Sequence, residues 1–291
     1  MSTQLPIAYF NGRQMPLREV HISPLDRGFL FGEGVYEVIP VYAGRPLGLA
    51  AHYQRLVQSL AMVGLAAPVA QAEFQILIDE LIDANGGGDQ SVYLHITRGV
   101  APGVRNHIPH QPDADGLTVF AMCQSLEPRA ASVASNGVAA ITLPDLRWAR
   151  SNIKATSLLA NTLAREQANA AGAAEAILIR DGWVTEGAAS SVLIVANNEV
   201  RQPPPDTSIL PGTTAALLNP LLEQLEHPIA RVAIDEAQLA AADEIWLASS
   251  TREVLPVTTL NGAPVGSGRP GPLWQRLDPL YQNLKRPNSM P

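Results

Sequence analysis

The sequence predicts an α/β protein built from two domains. Three observations predict it. The chain has 291 residues, which is long for one small domain and comfortable for two. Strand-type and helix-type apolar periodicities alternate along it. The segment Gln124 to Gly137 turns polar, carries Pro128 and is rich in Ser and Ala, as a linker is. The expected division is a small N-terminal α/β domain over residues 1–123, a linker over 124–137 and a larger domain over 138–291.

The elements follow in chain order. Ile7 to Phe10 reads as a short strand, Asn11-Gly12 as a tight turn and Arg18 to Ile22 as the returning strand. Gly34 to Tyr42 is rich in Val, Tyr and Ile and reads as a strand, which Ala43-Gly44 turns into Leu47 to Leu49. Ala51 to Leu65 has helical spacing, with Leu56, Leu60 and Val63 on one face. Phe74, Leu77, Ile78, Leu81 and Ile82 mark a second helix, ended by Gly86-Gly87-Gly88. Strands follow at Val92 to Thr97 and Leu117 to Met122.

Beyond the linker come a strand at Val138 to Leu143 and a helix from Thr156 to Ala171. A hairpin spans Ala176 to Thr185 around Asp181-Gly182. Then come a strand at Ser191 to Val195, a helix at Thr214 to Leu225, and strands near Arg231 to Ile234 and Glu244 to Ser249. A helix from Leu273 to Leu284 closes the chain. There is no internal repeat, and a cleft between two such domains is the default place for a site.

Composition narrows the function. A charged fraction of 16% beside a hydrophobic fraction of 46% suits a packed globule rather than a disordered chain. The formal net charge is -7 and no dense Lys/Arg stretch occurs, which argues against a nucleic-acid partner. Any phosphate site must be a local pocket. Cys123 is the single cysteine, so no intrachain disulfide forms, in keeping with a reducing cytoplasm. It follows the apolar run Leu117 to Met122 and is expected to be a buried structural thiol. Met1 to Phe10 lacks the basic start and apolar core of a secretory signal. No apolar run is long enough to cross a bilayer, so no membrane partner is expected, nor is a metal.

Chemistry enters with lysine. Only Lys154 and Lys285 occur, and Lys285 reads as part of a solvated tail. Lys154 sits in Arg150-Ser151-Asn152-Ile153-Lys154-Ala155-Thr156, where a strand-like approach passes into a helix, beside apolar neighbours. Burial favours the neutral amine, and a neutral amine attacks an aldehyde to form a Schiff base. If the chain holds an aldehyde cofactor that way, Lys154 is the residue.

The set Ile153-Lys154, Leu158-Leu159-Ala160-Asn161, Glu175-Ala176-Ile177 and Val184-Thr185-Glu186-Gly187 resembles the class IV aminotransferases, which are fold-type IV pyridoxal-phosphate (PLP) enzymes. The resemblance runs from about Asp26 to about Pro256. It is nearest to the D-amino-acid aminotransferases, through Phe31-Gly32-Glu33-Gly34-Val35-Tyr36-Glu37-Val38 and Val104-Arg105-Asn106-His107-Ile108-Pro109. It implies a small N-terminal α/β domain and a larger α/β pseudo-barrel domain that binds pyridoxal 5'-phosphate.

The resemblance also implies roles. Lys154 bonds the cofactor and shuttles the proton. Glu186 meets the pyridine nitrogen and keeps the ring protonated. Arg55 binds the phosphate, with Thr213, Thr214 and Ser250 beside a helix start. Tyr36, Arg105 and His107 grip the substrate α-carboxylate, for which an Arg fork is well shaped. The loop that carries Arg105 reaches a neighbouring subunit, which implies a homodimer. Taken singly, Arg55 reads as an exposed helix arginine, Thr213 and Thr214 as helix caps, Glu186 as a turn residue and residues 104–110 as a surface loop.

Two departures from the family pattern stand out. The loop from Gly99 to Pro109 is slightly longer, and Ala188 and Ala189 stand where serines are usual. The expected activity is ping-pong transfer of the amino group of a D-amino acid, of the D-alanine/D-glutamate class, to a 2-oxo acid such as 2-oxoglutarate. The alternatives are a branched-chain or R-amine transaminase, a lyase of the aminodeoxychorismate type and, last, a PLP-binding protein without turnover.

Overall fold

The computed structural model describes residues 3–101, 103, 105–112 and 116–286. Val104 of the carboxylate loop lies outside the described residues. The chain divides into two compact units. Unit 1 is Met1–Glu127 with Ile153–Ser157, and unit 2 is Pro128–Asn152 with Leu158–Pro291.

Unit 1 begins with β1 (Gln4–Phe10) and β2 (Arg13–Pro16), followed by a short 3-10 turn at Leu17–Glu19 and helix α1 (Arg27–Phe31). Then come β3 (Gly34–Tyr42), β4 (Arg45–Pro46), α2 (Leu49–Met62), α3 (Gln71–Ala84), β5 (Gln90–Thr97) and β6 (Thr118–Ser125). The six strands form one antiparallel sheet in the order β2-β1-β6-β5-β3-β4.

The returning strand of the first hairpin is Arg13–Pro16, not Arg18 to Ile22. Asn11 and Gly12 both have positive φ (43° and 86°), so a two-residue turn closes at once and Phe10 pairs with Arg13. Helices α2 and α3 cover one sheet face, where Leu56, Leu60 and Ile78 meet Val35, Ile39 and Leu94. The strand period of two sends Tyr36 to the other face, opposite His95, with Val38 opposite Tyr93. Cys123 is buried in the core, and burial pushes its thiol up to about 12.

The segment Ile153–Ser157 does not start a helix. It lies along the beginning of β3, with Ala155 bridging Val35 and the Thr156 amide donating to the Gly34 carbonyl at 3.0 Å. Pairing with a strand edge uses backbone groups that a helix would need, so α5 (Leu159–Ala170) starts later than Thr156.

In unit 2, α4 (Ala131–Asn136) and β7 (Val138–Pro144) precede α5. The stretch expected as a linker therefore carries a helical turn. After α5 come β8 (Glu175–Arg180), β9 (Trp183–Gly187), β10 (Ser191–Ala196), β11 (Glu199–Gln202) and α6 (Thr213–Gln224). The remainder is β12 (Ile229–Arg231), α7 (Glu236–Ala240), β13 (Glu244–Ser249), β14 (Glu253–Leu260), β15 (Ala263–Pro264) and α8 (Pro272–Lys285). Lys285 is not in a solvated tail: it ends α8 with its ammonium paired to the buried Glu253.

The nine strands run β12-β11-β10-β13-β14-β7-β8-β9, with β15 on β14, in a mixed sheet that curls as a half-barrel. The β8–β9 hairpin turns at Asp181-Gly182, both at positive φ. Ile177, Val192, Ile194, Ile245, Leu247 and Val257 form a core of this sheet. Ala164 and Ala168 seat α5 on Ala176 and Leu178, where only small side chains let helix and sheet approach closely.

Candidate active site

Lys154 is half-buried in unit 1 and held by its backbone. Its amide donates to Ser59 Oγ on α2 at 3.2 Å, and its carbonyl accepts from the Tyr36 amide at 3.0 Å. Its Nζ lies 4.1 Å from the centre of the Tyr36 ring, within reach of a cation–π attraction. Lysine and tyrosine, singled out separately in the sequence, therefore stand together. The Tyr36 ring neighbours that of Tyr93 at 5.8 Å, and Tyr93 Oη is 3.3 Å from His95 Nδ1. Burial, with the charge of Tyr36, pushes Tyr93 up to about 12.

Arg55 is buried on α2, not exposed, because a carboxylate lies against it. Its Nε and Nη2 donate to Glu37 Oε1 and Oε2 at 2.8 and 2.7 Å, a two-pronged pair. Glu37 is fully buried, and its Oε2 is 2.7 Å from His52 Nδ1. Burial works to raise the Glu37 pKa. The hydrogen bond and charge of Arg55, then those of His52, outweigh burial and hold the carboxyl at about 2. His52 is lowered, first by burial. Neither Glu37 nor His52 is singled out by motif. One signal was available: Glu37 falls on the inward side of an apolar strand, where a carboxylate needs a partner.

Arg105 and His107 are exposed and meet at Phe31. The Arg105 guanidinium is 4.4 Å from the ring centre, and the His107 ring is 5.4 Å from it.

In unit 2, Glu186 is buried at the end of β9. Its Oε1 accepts from the Leu210 amide at 3.2 Å and pairs with Arg147 Nη1. Arg147 grips Asp145 with Nε and Nη2 at 2.9 and 2.8 Å, and its Nη2 also reaches the Ser208 carbonyl at 3.0 Å. Thr185 and Arg180 complete the set around Asp145. Burial opposes the charge of Asp145, yet the Arg147 hydrogen bond wins and lowers its pKa. Arg147 is raised against burial by its bonds to Asp145 and the charge of Glu186. Sequence reasoning missed Arg147, because 39 residues separate it from Glu186.

Thr213 and Thr214 are buried in the first turn of α6. They are not caps: Gly212 holds the cap position in extended geometry and offers no side-chain bond. The first-turn N–H groups therefore keep their donor capacity. A Cβ on Gly212 would collide with Ser191 Oγ, so the glycine keeps this turn open. Ser191 stands in register with Ala248 of β13, two residues before Ser250. Gly212, which precedes Thr213 and Thr214, therefore lies against the Ser191 end of β10, and Ser250 follows the strand paired there.

The turn after Glu186 is hydrogen-bonded without the missing serines. Gly187 N donates to Ser190 O at 2.7 Å, and Asn161 Nδ2 donates to the Ala188 carbonyl at 2.8 Å. Ser190 Oγ is committed to Glu175, which Arg165 and Arg252 also neutralise.

Each unit by itself offers groups of the kind that a phosphorylated pyridine aldehyde needs. Unit 1 offers an amine against an aromatic ring. Unit 2 offers a clamped buried carboxylate and an open helix start beside buried hydroxyls. Among the described residues, no group of three His, Cys, Asp or Glu side chains is arranged to hold a metal ion. No described helix is long and apolar enough to cross a membrane.

Comparison with known proteins gives the family. Residues 34–260 match the family described as amino-transferase class IV. The chain belongs to the class IV aminotransferases, enzymes that work with pyridoxal phosphate. It is 40% identical over 275 residues to the D-alanine aminotransferase of Bacillus licheniformis, covering 94% of this chain and 95% of that protein. It is 33% identical over 269 residues to the D-alanine aminotransferase of Staphylococcus haemolyticus, covering 92% and 94%. Its fold is that of the branched-chain aminotransferase from the thermophilic archaeon Thermoproteus uzoniensis with norvaline, with TM-score 0.83, 24% identity and coverage of 99% and 97%. A hypothetical aminotransferase from Mycobacterium tuberculosis in PLP-bound form has TM-score 0.82 at 24% identity, covering 96% and 99%.

Proposed function

We propose that the protein moves the amino group of a D-amino acid, of the D-alanine/D-glutamate class, to a 2-oxo acid such as 2-oxoglutarate by a ping-pong route. The observation that carries this reading is the Lys154 amine seated on Tyr36. Similarity to two D-alanine aminotransferases supports the choice of donor.

Pyridoxal phosphate, when bound, supplies the electron sink for the bond-breaking at the donor carbon. The chain supplies the rest. Lys154 Nζ would anchor the cofactor and then carry the proton from the donor α-carbon to the cofactor. The Tyr36 ring fixes the direction of that amine. Glu186 accepts the hydrogen bond of the ring nitrogen, and Arg147 and the Leu210 amide keep its carboxylate in place. Arg55, Thr213, Thr214 and Ser250 hold the phosphate, with Glu37 and His52 fixing the Arg55 fork. Arg105, His107 and Tyr36 take the substrate α-carboxylate.

The working form in this reading is a cytoplasmic homodimer. Leu25, Phe29 and Ile108 are 56%, 74% and 75% exposed, an apolar set suited to a second copy. The lone buried thiol suits a reducing compartment.

The test is a half-reaction: the visible cofactor band is followed while D-alanine, D-glutamate, L-leucine or R-phenylethylamine is added. Bleaching by the D-amino acids alone is expected. Bleaching by L-leucine instead moves the protein to branched-chain substrates, and bleaching by the amine to amine donors. A band that no donor bleaches, with pyruvate released by elimination, overturns transamination.

A further inference from the structure

The loop bearing Arg105 and His107 is anchored at three points by residues that have no role in the chemistry above. At its start, the Gly99 carbonyl accepts from the Arg27 amide at 2.9 Å, and Val100 bridges Asp26. In its middle, the Asn106 carbonyl accepts from Arg27 Nη1 at 2.6 Å. At its end, the His110 carbonyl accepts from Arg98 Nη1 at 3.0 Å.

Arg27 and Arg98 are themselves buried and joined by one carboxylate. Glu33 accepts from Arg27 Nε and Nη2 at 2.8 and 2.6 Å, and from Arg98 Nε at 2.9 Å. Asp26 locks the base of the arrangement by accepting from the Gly28 amide and from the hydroxyls of Thr97 and Thr118.

Phe31 is at the centre. Arg27 lies 4.5 Å from its ring centre and Arg105 lies 4.4 Å from it, while His107 packs on the same ring. Two guanidiniums on one ring repel each other. The pair is tolerable because Glu33 neutralises Arg27, which leaves Arg105 as the cation with charge to offer. The ring holds the side chain of Arg105, while the Asn106 carbonyl holds the adjoining backbone.

We propose that Phe31 is a positioning residue that presents Arg105 and His107 to the substrate carboxylate, and that Glu33 fixes the loop through Arg27 and Arg98. This rests on the reading that Arg105 binds that carboxylate. Loss of the ring frees the Arg105 side chain, and its fork must then be ordered by the substrate.

The experiment is steady-state and half-reaction kinetics of the holoenzyme with D-alanine. In Phe31→Leu, KM rises roughly tenfold while the maximal rate holds, the pattern of lost binding rather than lost chemistry. Phe31→Tyr, which keeps the ring, retains the wild-type KM. In an Arg105→Ala background, Phe31→Leu raises KM much less, because only the part that runs through His107 is left.

An unchanged KM in Phe31→Leu overturns the proposal, as does an equal rise in both backgrounds, which marks a merely structural role. If Phe31→Leu does not fold, Glu33→Gln carries the test, since it releases both loop arginines and must raise KM. An unchanged KM in Glu33→Gln then overturns the proposal. A wild type inert to D-alanine, or Arg105→Ala with an unchanged KM, removes the carboxylate reading and this inference together. Arg105→Ala with raised KM beside a silent Phe31→Leu removes this inference alone.

Discussion

Each unit buries a chain of alternating charges, and the two chains differ by one link. In unit 1, Glu37 is fully buried and holds Arg55, so the outer member is a cation. In unit 2, Asp145 is equally buried and holds Arg147, which in turn holds Glu186, so the outer member is an anion. Both arrangements answer the same constraint: a charge taken out of water needs a fixed counter-charge. Strict alternation then means that the number of links sets the sign of the group at the end. Two links suit a phosphate ligand, and three suit a protonated ring nitrogen.

The largest effect that bears on the proposed function is at neither chain but at the amine of Lys154. Lys154→Ala lowers multiple-turnover transamination by about 10²–10⁴-fold. A near-normal rate, measured by product formed per enzyme, removes Lys154 from the mechanism and with it the purpose assigned to both chains.

Breaking the longer chain costs most stability. Arg147→Ala leaves Asp145 and Glu186 buried without their shared partner and destabilises the protein by about 3–5 kcal/mol. Urea unfolding reads this, and a loss under about 1 kcal/mol would equate the pair with a surface ion pair. Glu37→Gln keeps the shape of the shorter chain but weakens its charged hydrogen bonds, at about 1.5–3 kcal/mol. It also loosens Arg55, so the cofactor is lost faster on dialysis. Equal cofactor retention in wild type and Glu37→Gln breaks the link between chain and phosphate.

The pH response sharpens the comparison. The folded Glu37 pKa, about 2, lies below the ordinary 4.5, so the unfolded chain binds more protons at this site. Its stabilisation is present above 4.5 and is lost as pH falls from 4.5 towards about 2. Glu37→Gln should flatten that part of the stability–pH curve, and an unchanged curve refutes the assignment. The smallest effect belongs to a neutral hydroxyl: Ser250→Ala weakens cofactor affinity roughly fivefold, read by titration of the visible band.

Much of the fold was legible because its signals are local. The apolar spacing in α2 and α3, the alternation in β3 and the Asp181-Gly182 turn each operate within a few residues. Glycine in a tight turn and leucine every third or fourth residue act on the backbone directly. Lys154 was singled out as one of two lysines, and Glu186, Thr213 and Ser250 only through the resemblance of their motifs to the class IV aminotransferases.

The supporting residues were not legible in that way. His52 and Arg55 reach Glu37 across 15 and 18 positions, and Phe31 meets Arg105 from a separate segment. The stretch Ile153–Thr156 looked like the approach to a helix, yet a strand edge at Gly34 to Tyr36 captured its backbone first.

The sequence by itself determined the alternation of strands and helices, the choice of Lys154 between two lysines and the family. Those depend on local backbone preference and on the identities of side chains. Only the tertiary structure decided which buried acid holds which arginine, and therefore which sign of charge each unit presents. Electrostatic pairing depends on distance in space, and the chain gives no local record of that distance.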